Sequence, residues 1–464
     1  MTHVMRCPFC GLLQDEPAGV KDCSRCGGGL EYESQPPGKP TYLQVQMELD
    51  QISAPANLNV ERYLLLTIRT PKKIPQEEAL PTEVGRLPLN FVAVLDVSGS
   101  MQGEKIDQAK LAVQRAVQYL HAGDIFSLVT FSDEIKVPFE PSLINDKTHQ
   151  AVENALKHIQ AGGMTALCSG LEKGIEKTGN FSQDTNLVLL LSDGQANIGE
   201  TDLENIGSRA LQARKTGRLV SCLGVGLDYN EALLTEIATQ GGGRFYHVHN
   251  ANQIPAYMAG ELGEVATLAA RKVKIQLAIP NGATLIPLSA AYPVQQAGEQ
   301  ATVTIGDIPS DTELEIPLRL ALLAQTTGSK LSIEGTLVFH SPVGHEIECQ
   351  VNRVTIRFVA PDIYHLRQGV VQPIAERVFA QMKATSVLGV SRILAIQPKD
   401  AEQKAEAELN SLYAYADLLG EGRVEKEMLE VKKQFATLTA SPAAAKQTVA
   451  NANRFIRSTK DFDH

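Results

Sequence analysis

The sequence predicts a multidomain protein in which a doubly wound α/β domain interrupts a β-sandwich, with a four-cysteine segment in front and a helical bundle behind. Three observations carry this. Between residues 87 and 265 short apolar runs alternate with amphipathic helical patterns, which implies a mostly parallel sheet covered by helices on both faces. On either side of that stretch the apolar period falls to two, the mark of half-buried strands. Beyond Pro361 strand formers give way to long Ala-, Glu- and Lys-rich helical periods.

At 464 residues the chain exceeds one ordinary core. A hydrophobic content of 43% with 21% charged residues marks a soluble globular protein. The net charge of -10 argues against a general polyanion binder, because nucleic-acid affinity is carried by Lys and Arg at phosphates. No apolar run is long enough for a membrane span, and the opening Met-Thr-His-Val-Met-Arg-Cys is not a charged segment followed by an apolar one. Seven cysteines, three of them (Cys168, Cys222 and Cys349) scattered singly, point to a reducing compartment, so a cytoplasmic location is expected. Oligomeric state is open at this level.

In residues 1–34, Cys7-Pro8-Phe9-Cys10 and Cys23-Ser24-Arg25-Cys26 form two Cys-x2-Cys knuckles separated by twelve residues. Each turns two thiolates toward one point, and Cys7, Cys10, Cys23 and Cys26 together make a closed tetrahedral S4 site for Zn2+. The segment resembles a zinc ribbon, whose stability would come largely from the metal. Disulfides or a redox pair are the other reading, and no thioredoxin-like pattern surrounds either knuckle. Residues 35–40, Gln-Pro-Pro-Gly-Lys-Pro, read as a semi-rigid linker.

Residues 41–86 contain two alternating runs, Leu43, Val45, Met47, Leu49 and Leu64, Leu66, Ile68. Two strands alone are marginal in water. Their expected partners lie in residues 266–360, where Val273 to Ile279, Val303 and Ile305, Leu314 to Leu320, and Val354 to Phe358 alternate in the same way between turn signals such as Pro280-Asn281-Gly282. In residues 361–464 helices are predicted near 372–396, 400–419, 423–438 and 442–457, with Ser441-Pro442 fitting an N-cap and first helical proline.

The apolar run Phe91 to Leu95 ends in Asp96-Val97-Ser98-Gly99-Ser100. A carboxylate and two hydroxyls at one strand end suit a hard cation such as Mg2+. Further on, Gly162-Gly163-Met164 precedes Thr165, and the apolar run ending at Ser192 precedes Asp193-Gly194. Taken in order, these three pieces resemble the metal-ion-dependent adhesion site of von Willebrand factor A (VWA) domains, over about residues 87–265. The resemblance implies a Rossmann-like domain in which Asp96, Ser98, Ser100, Thr165 and Asp193 hold Mg2+ (or Mn2+ or Ca2+), Gly99 and Gly194 letting the backbone come close. It also implies a coordination place left for an Asp or Glu carboxylate of a partner protein. Domain order resembles the inner coat subunits of COPII vesicles and bacterial VWA proteins whose A domain sits in a β-sandwich.

The function expected is therefore that of an intracellular adaptor, not an enzyme, acting through a metal-mediated protein contact. A VWA domain serving only as scaffold is the first alternative. A Mg2+-dependent phosphohydrolase is the second; that chemistry asks for Asp-x-Asp, and Ser98 stands where the acid is needed. No phosphate-binding Gly-x4-Gly-Lys-Ser/Thr loop is present. His345-Glu346 lacks the second histidine of a zinc-protease helix, and His247 and His249 lack a third ligand.

Overall fold

The computed structural model describes residues 2–6, 13–17, 42–78, 87–179, 185–366 and 369–457. Cys7, Cys10, Cys23 and Cys26 lie outside the described residues. The backbone flanking the first knuckle is a hairpin, β1 (Thr2–Arg6) paired antiparallel with β2 (Leu13–Pro17).

The chain continues through β3 (Gln44–Leu49), β4 (Ser53–Pro55) and β5 (Val60–Arg69), and then enters the α/β region at β6 (Leu89–Asp96). There follow α1 (Glu104–Gln118), β7 (Ile125–Phe131), β8 (Ile135–Leu143), α2 (Asp146–Lys157), α3 (Leu167–Gly179) and β9 (Thr185–Ser192). The region closes with α4 (Leu203–Lys215), β10 (Arg218–Val225), α5 (Glu231–Gln240), β11 (Gly242–Val248) and α6 (Ile254–Ala266). Strand order is β11-β10-β9-β6-β7-β8, parallel except for the edge strand β8.

Every residue of β6, β7 and β9 is buried, as the unbroken apolar runs require of strands covered on both faces. The pleat sorts them. Phe91, Ala93 and Leu95 pack with Ile106, Ala109 and Val113 of α1 and with Ile254 and Met258 of α6. Val92 and Val94 point the other way, into a second cluster with Leu167 and Leu171 of α3, Ile206 of α4 and Ile237 of α5. Two separate cores thus clamp one sheet.

After α6 come β12 (Leu268–Ala278), β13 (Ala283–Pro287), β14 (Val294–Ala297), β15 (Gln300–Pro309), β16 (Glu313–Leu322), β17 (Lys330–His340) and β18 (Glu346–Val359). They complete two mixed-origin sheets, β14-β15-β12-β17-β18-β4 and β13-β16-β5-β3. Strands from before and after the α/β region pair directly, β5 with β16 along ten residue pairs and β4 with β18. Inward residues of both sheets, among them Leu64, Leu66, Ile68, Ile275, Leu277, Leu318 and Leu337, share one core. The alternating segments named from the sequence leave out β17. Its apolar period is broken by Gly335, where a Cβ would lie 2.8 Å from Leu277 Cδ2, so the glycine is there to let neighbouring side chains in.

The C-terminal region holds α7 (Pro361–Leu366), α8 (Gln372–Ile396), α9 (Ala401–Ala416), α10 (Glu421–Ala440) and α11 (Pro442–Arg457). Helices α8 to α11 pack on one another and touch both other regions. From α8, Arg377 donates to Glu315 Oε1 at 2.5 Å and to Thr67 Oγ1 at 2.6 Å on the smaller sheet. From α11, Lys446 Nζ donates to the Tyr229 carbonyl and Glu231 Oε2, both at 2.6 Å, and lies over the Tyr229 ring. Among the described residues no helix is long and apolar enough to cross a membrane.

Candidate functional site

In the strand order of the parallel sheet, β6 and β9 are the neighbours between which the chain reverses its direction of travel, the position where loops at the carboxyl ends open a crevice. Asp96 is the last residue of β6, and Asp193 immediately follows β9, paired through Leu95 and Leu191. Backbone bonds draw the intervening loops in: Gly99 N–H donates to Gly163 O at 3.0 Å, Gly162 N–H to Val97 O at 2.7 Å, and Val97 N–H to Phe131 O at 2.9 Å. Thr165 is set by Asn197, whose side chain accepts from Thr165 N–H at 2.8 Å while Asn197 N–H donates to Thr165 O at 3.1 Å.

The five residues picked from the sequence therefore converge. Ser98 and Ser100 hydroxyls are 3.1 Å apart, and Ser100 Oγ donates to Asp193 Oδ1 at 2.7 Å. A Cβ at Gly194 would sit 3.3 Å from Thr165 Oγ1, 3.4 Å from Ser100 Oγ and 3.9 Å from Asp96 Oδ2, so a bare backbone at 194 is what lets three loops meet. Asp96, Ser98, Thr165 and Asp193 are buried, and Ser100 is exposed at the mouth.

Asp96 is wholly buried, with Oδ1 accepting from Ser98 N–H at 2.9 Å and Oδ2 from Ser192 Oγ–H at 2.6 Å. Burial pushes its pKa up, the hydrogen bonds from Ser192 and Ser98 pull it back, and the neighbouring Asp193 adds a further upward push. A buried carboxylate without a cationic partner is expensive, and none stands within ion-pair distance of Asp96 among the described residues. Two carboxylates and three hydroxyls around that deficit form a hard-oxygen donor set that fits Mg2+.

Two members of the site escaped the sequence. Ser192 orients Asp96 but reads as one more small residue ending a buried strand. Lys105, in the first turn of α1, forms an ion pair with Asp193 Oδ2 and reads as an ordinary surface lysine. If Ser192 orients a ligand, Ser192→Ala is expected to weaken divalent-ion binding about 10- to 100-fold, as removal of such supporting bonds typically does, and titration with Mn2+ measures it.

The other candidates separate from this site. His247 is buried with Nδ1 hydrogen-bonded to the Tyr229 hydroxyl at 2.7 Å, a structural role, while His249 is exposed. Among the described residues no group of three or more His, Cys, Asp or Glu is placed to hold a metal. Cys168, Cys222 and Cys349 are buried, Cys168 and Cys222 as free thiols, and burial pushes Cys168 up to about 11.

A family model for the von Willebrand factor type A domain matches residues 90–259. The uncharacterized Escherichia coli protein YfbK is 29% identical over 252 residues, covering 53% of this chain and 41% of its own. The human inter-alpha-trypsin inhibitor heavy chain H4 is 28% identical over 195 residues, covering 40% of this chain and 21% of its own. This chain thus covers well under two thirds of these relatives. Among solved structures, a von Willebrand factor type A protein from Catenulispora acidiphila superposes with a TM-score of 0.65 at 16% identity, over 93% of this chain and 99% of that one. The ArnB paralog VWA2 from Sulfolobus acidocaldarius gives 0.60 at 19% identity, over 90% and 99%. At such identities the likeness is one of fold, and it extends over the flanking sheets and helices. Matched by the family model and built on β6 and β9 at its switch point, residues 90–259 are a von Willebrand factor type A domain.

Proposed function

We propose that this protein is an interaction protein that captures an acidic side chain of a partner through a Mg2+ held by Asp96, Ser98, Ser100, Thr165 and Asp193. The observation that carries it is the meeting of Asp96, Ser100 and Thr165 around Gly194, with Ser98 and Asp193 in hydrogen-bond contact with Ser100 and no cation paired with the buried Asp96 among the described residues. The ion supplies charge compensation and an open place for one more anionic oxygen; the chain's residues supply the rigid oxygen cradle. Binding rather than catalysis is favoured because Ser98 stands where a phosphohydrolase of this kind needs its second acid.

The same reading treats the two sheets as one sandwich interrupted by the A domain, with the division 1–34, 35–40, 41–86, 87–265, 266–360 and 361–464. It gives Cys7, Cys10, Cys23 and Cys26 to Zn2+, with a cytoplasmic setting supported by the free buried thiols of Cys168 and Cys222. Ribbon and helical region then act as further docking surfaces of an adaptor.

Affinity capture with the full chain tests this. Partners retained in Mg2+ should elute when Mg2+ is withdrawn, under conditions in which metal analysis still finds one zinc per chain, and should return on Mg2+ addition. Capture indifferent to Mg2+ would leave the domain a scaffold only.

A further inference from the structure

Lys105 stands where a helix does not favour it. It belongs to the first turn of α1, at the positive end of the helix dipole, flanked by Glu104 and Asp107, which suit that end as lysine does not. Its ammonium is turned onto Asp193 Oδ2, the oxygen that Ser100 leaves unused. The stem runs past Gly226, where a Cβ would lie 3.6 Å from Nζ and 3.7 Å from Cε, and Gly226 holds a left-handed φ of 76°. A loop after β10 thus closes over the lysine from behind. Asp193 is fully buried, and the Lys105 side chain is about one quarter exposed, so the pair is only partly screened by water.

We infer that Lys105 is a tethered counter-cation of the metal cradle, which neutralises Asp193 before a divalent ion arrives and leaves the loaded cradle with a net positive charge. The inference rests on the metal reading of the same residues. Two carboxylates alone would cancel the charge of a divalent ion and leave little pull on an incoming anion. With Lys105 counted, one positive charge remains. The lysine therefore weakens the hold on the metal and strengthens the hold on a carboxylate, shifting selectivity toward acidic ligands. One ammonium a few ångströms from a divalent ion changes affinity by about tenfold even at the dielectric of bulk water, and weaker screening only enlarges the effect.

The experiment uses the full chain with its zinc retained, titrated with Mn2+ while free Mn2+ is followed by electron paramagnetic resonance. Wild type, Lys105→Met, Lys105→Gln, Lys105→Arg and Asp96→Ala are compared, each checked for wild-type circular dichroism. The neutral variants are expected to bind Mn2+ about tenfold more tightly, and Lys105→Arg to stay near wild type. Acetate, as the probe carboxylate, should tighten Mn2+ binding more in wild type than in Lys105→Met, since linkage between two ligands is reciprocal. Neutral variants that bind Mn2+ as wild type does, or more weakly, overturn the inference while an Asp96-dependent site would keep the metal reading intact. Where wild type binds Mn2+, an Asp96→Ala variant that binds it equally well refutes the metal reading and takes the inference with it. A wild-type chain that takes no Mn2+ while Lys105→Met does so supports the inference in its strongest form; neither binding overturns it.

Discussion

Alanine at position 96 is expected to remove divalent-ion binding at the cradle, by on the order of a hundredfold or more in affinity, while leaving the domain folded. Losing an outer-shell group already costs 10- to 100-fold, and Asp96 supplies one of the two carboxylates of the proposed donor set. The substitution orphans Ser98 N–H and the Ser192 hydroxyl, a cost of about 1–3 kcal/mol, but it also removes a buried carboxylate whose pKa burial has raised, so the two effects oppose one another. Asp96→Asn separates charge from hydrogen bonding by keeping an oxygen that can accept from Ser98 N–H. Thermal melts with and without Mg2+ give the readout. Saturation at a hundred times the Kd stabilises wild type by about 2.7 kcal/mol, and neither variant should gain anything comparable. Asp96→Asn still stabilised by Mg2+ would contradict the assignment.

Valine at position 174 should unsettle the same site from underneath. Gly174 lies on the buried face of α3, and a Cβ there would stand 2.4 Å from Val94 Cγ2 and 3.2 Å from Val188 Cγ1, on the two strands that lead to Asp96 and Asp193. At 2.4 Å something must shift, and the side-chain atom in the way belongs to a short, buried valine, so α3 is expected to ride away from the sheet. Overpacking of this kind costs about 1–3 kcal/mol, and the better helix propensity of valine over glycine offsets only a few tenths of it. Because Thr165 sits two residues before α3, the shift should reach the cradle as well. Urea titration should show reduced stability of the A domain, and Mn2+ titration a weakened site, whereas Gly174→Val with unchanged values in both would refute the packing account.

These two positions show what the sequence could and could not convey. Asp96 and Asp193 were legible because an apolar run that stops abruptly at an acid announces the carboxyl end of a buried strand, and Ser98, Ser100 and Thr165 followed from spacing within the resemblance. In the fold Asp96, Ser100 and Thr165 meet around Gly194. Ser192 and Lys105 carried no such signal. Ser192 acquires its role only through the register of β9 against β6, which puts its hydroxyl on Asp96, and register is a property of two strands together. Lys105 would be read as solvated, since a chain of letters does not show the Gly226 loop closing behind it. Elements with clean periodicity were placed closely: α8 and α11 run over residues 372–396 and 442–457 as expected. Irregular ones were not. The three-residue strand β4 and the breaks in β17 depend on neighbours far away in sequence.

The way the A domain is attached has a mechanical consequence. The chain enters it at the start of β6 and leaves it after α6, which returns from the carboxyl edge of the sheet to the opposite one before β12 begins. Asp96 caps the far end of that same entering strand. A tug on anything gripped at the cradle would therefore run lengthwise down β6, whose ladders to β7 and β9 would be strained in shear, many rungs sharing the force at once, rather than unzipped one rung at a time.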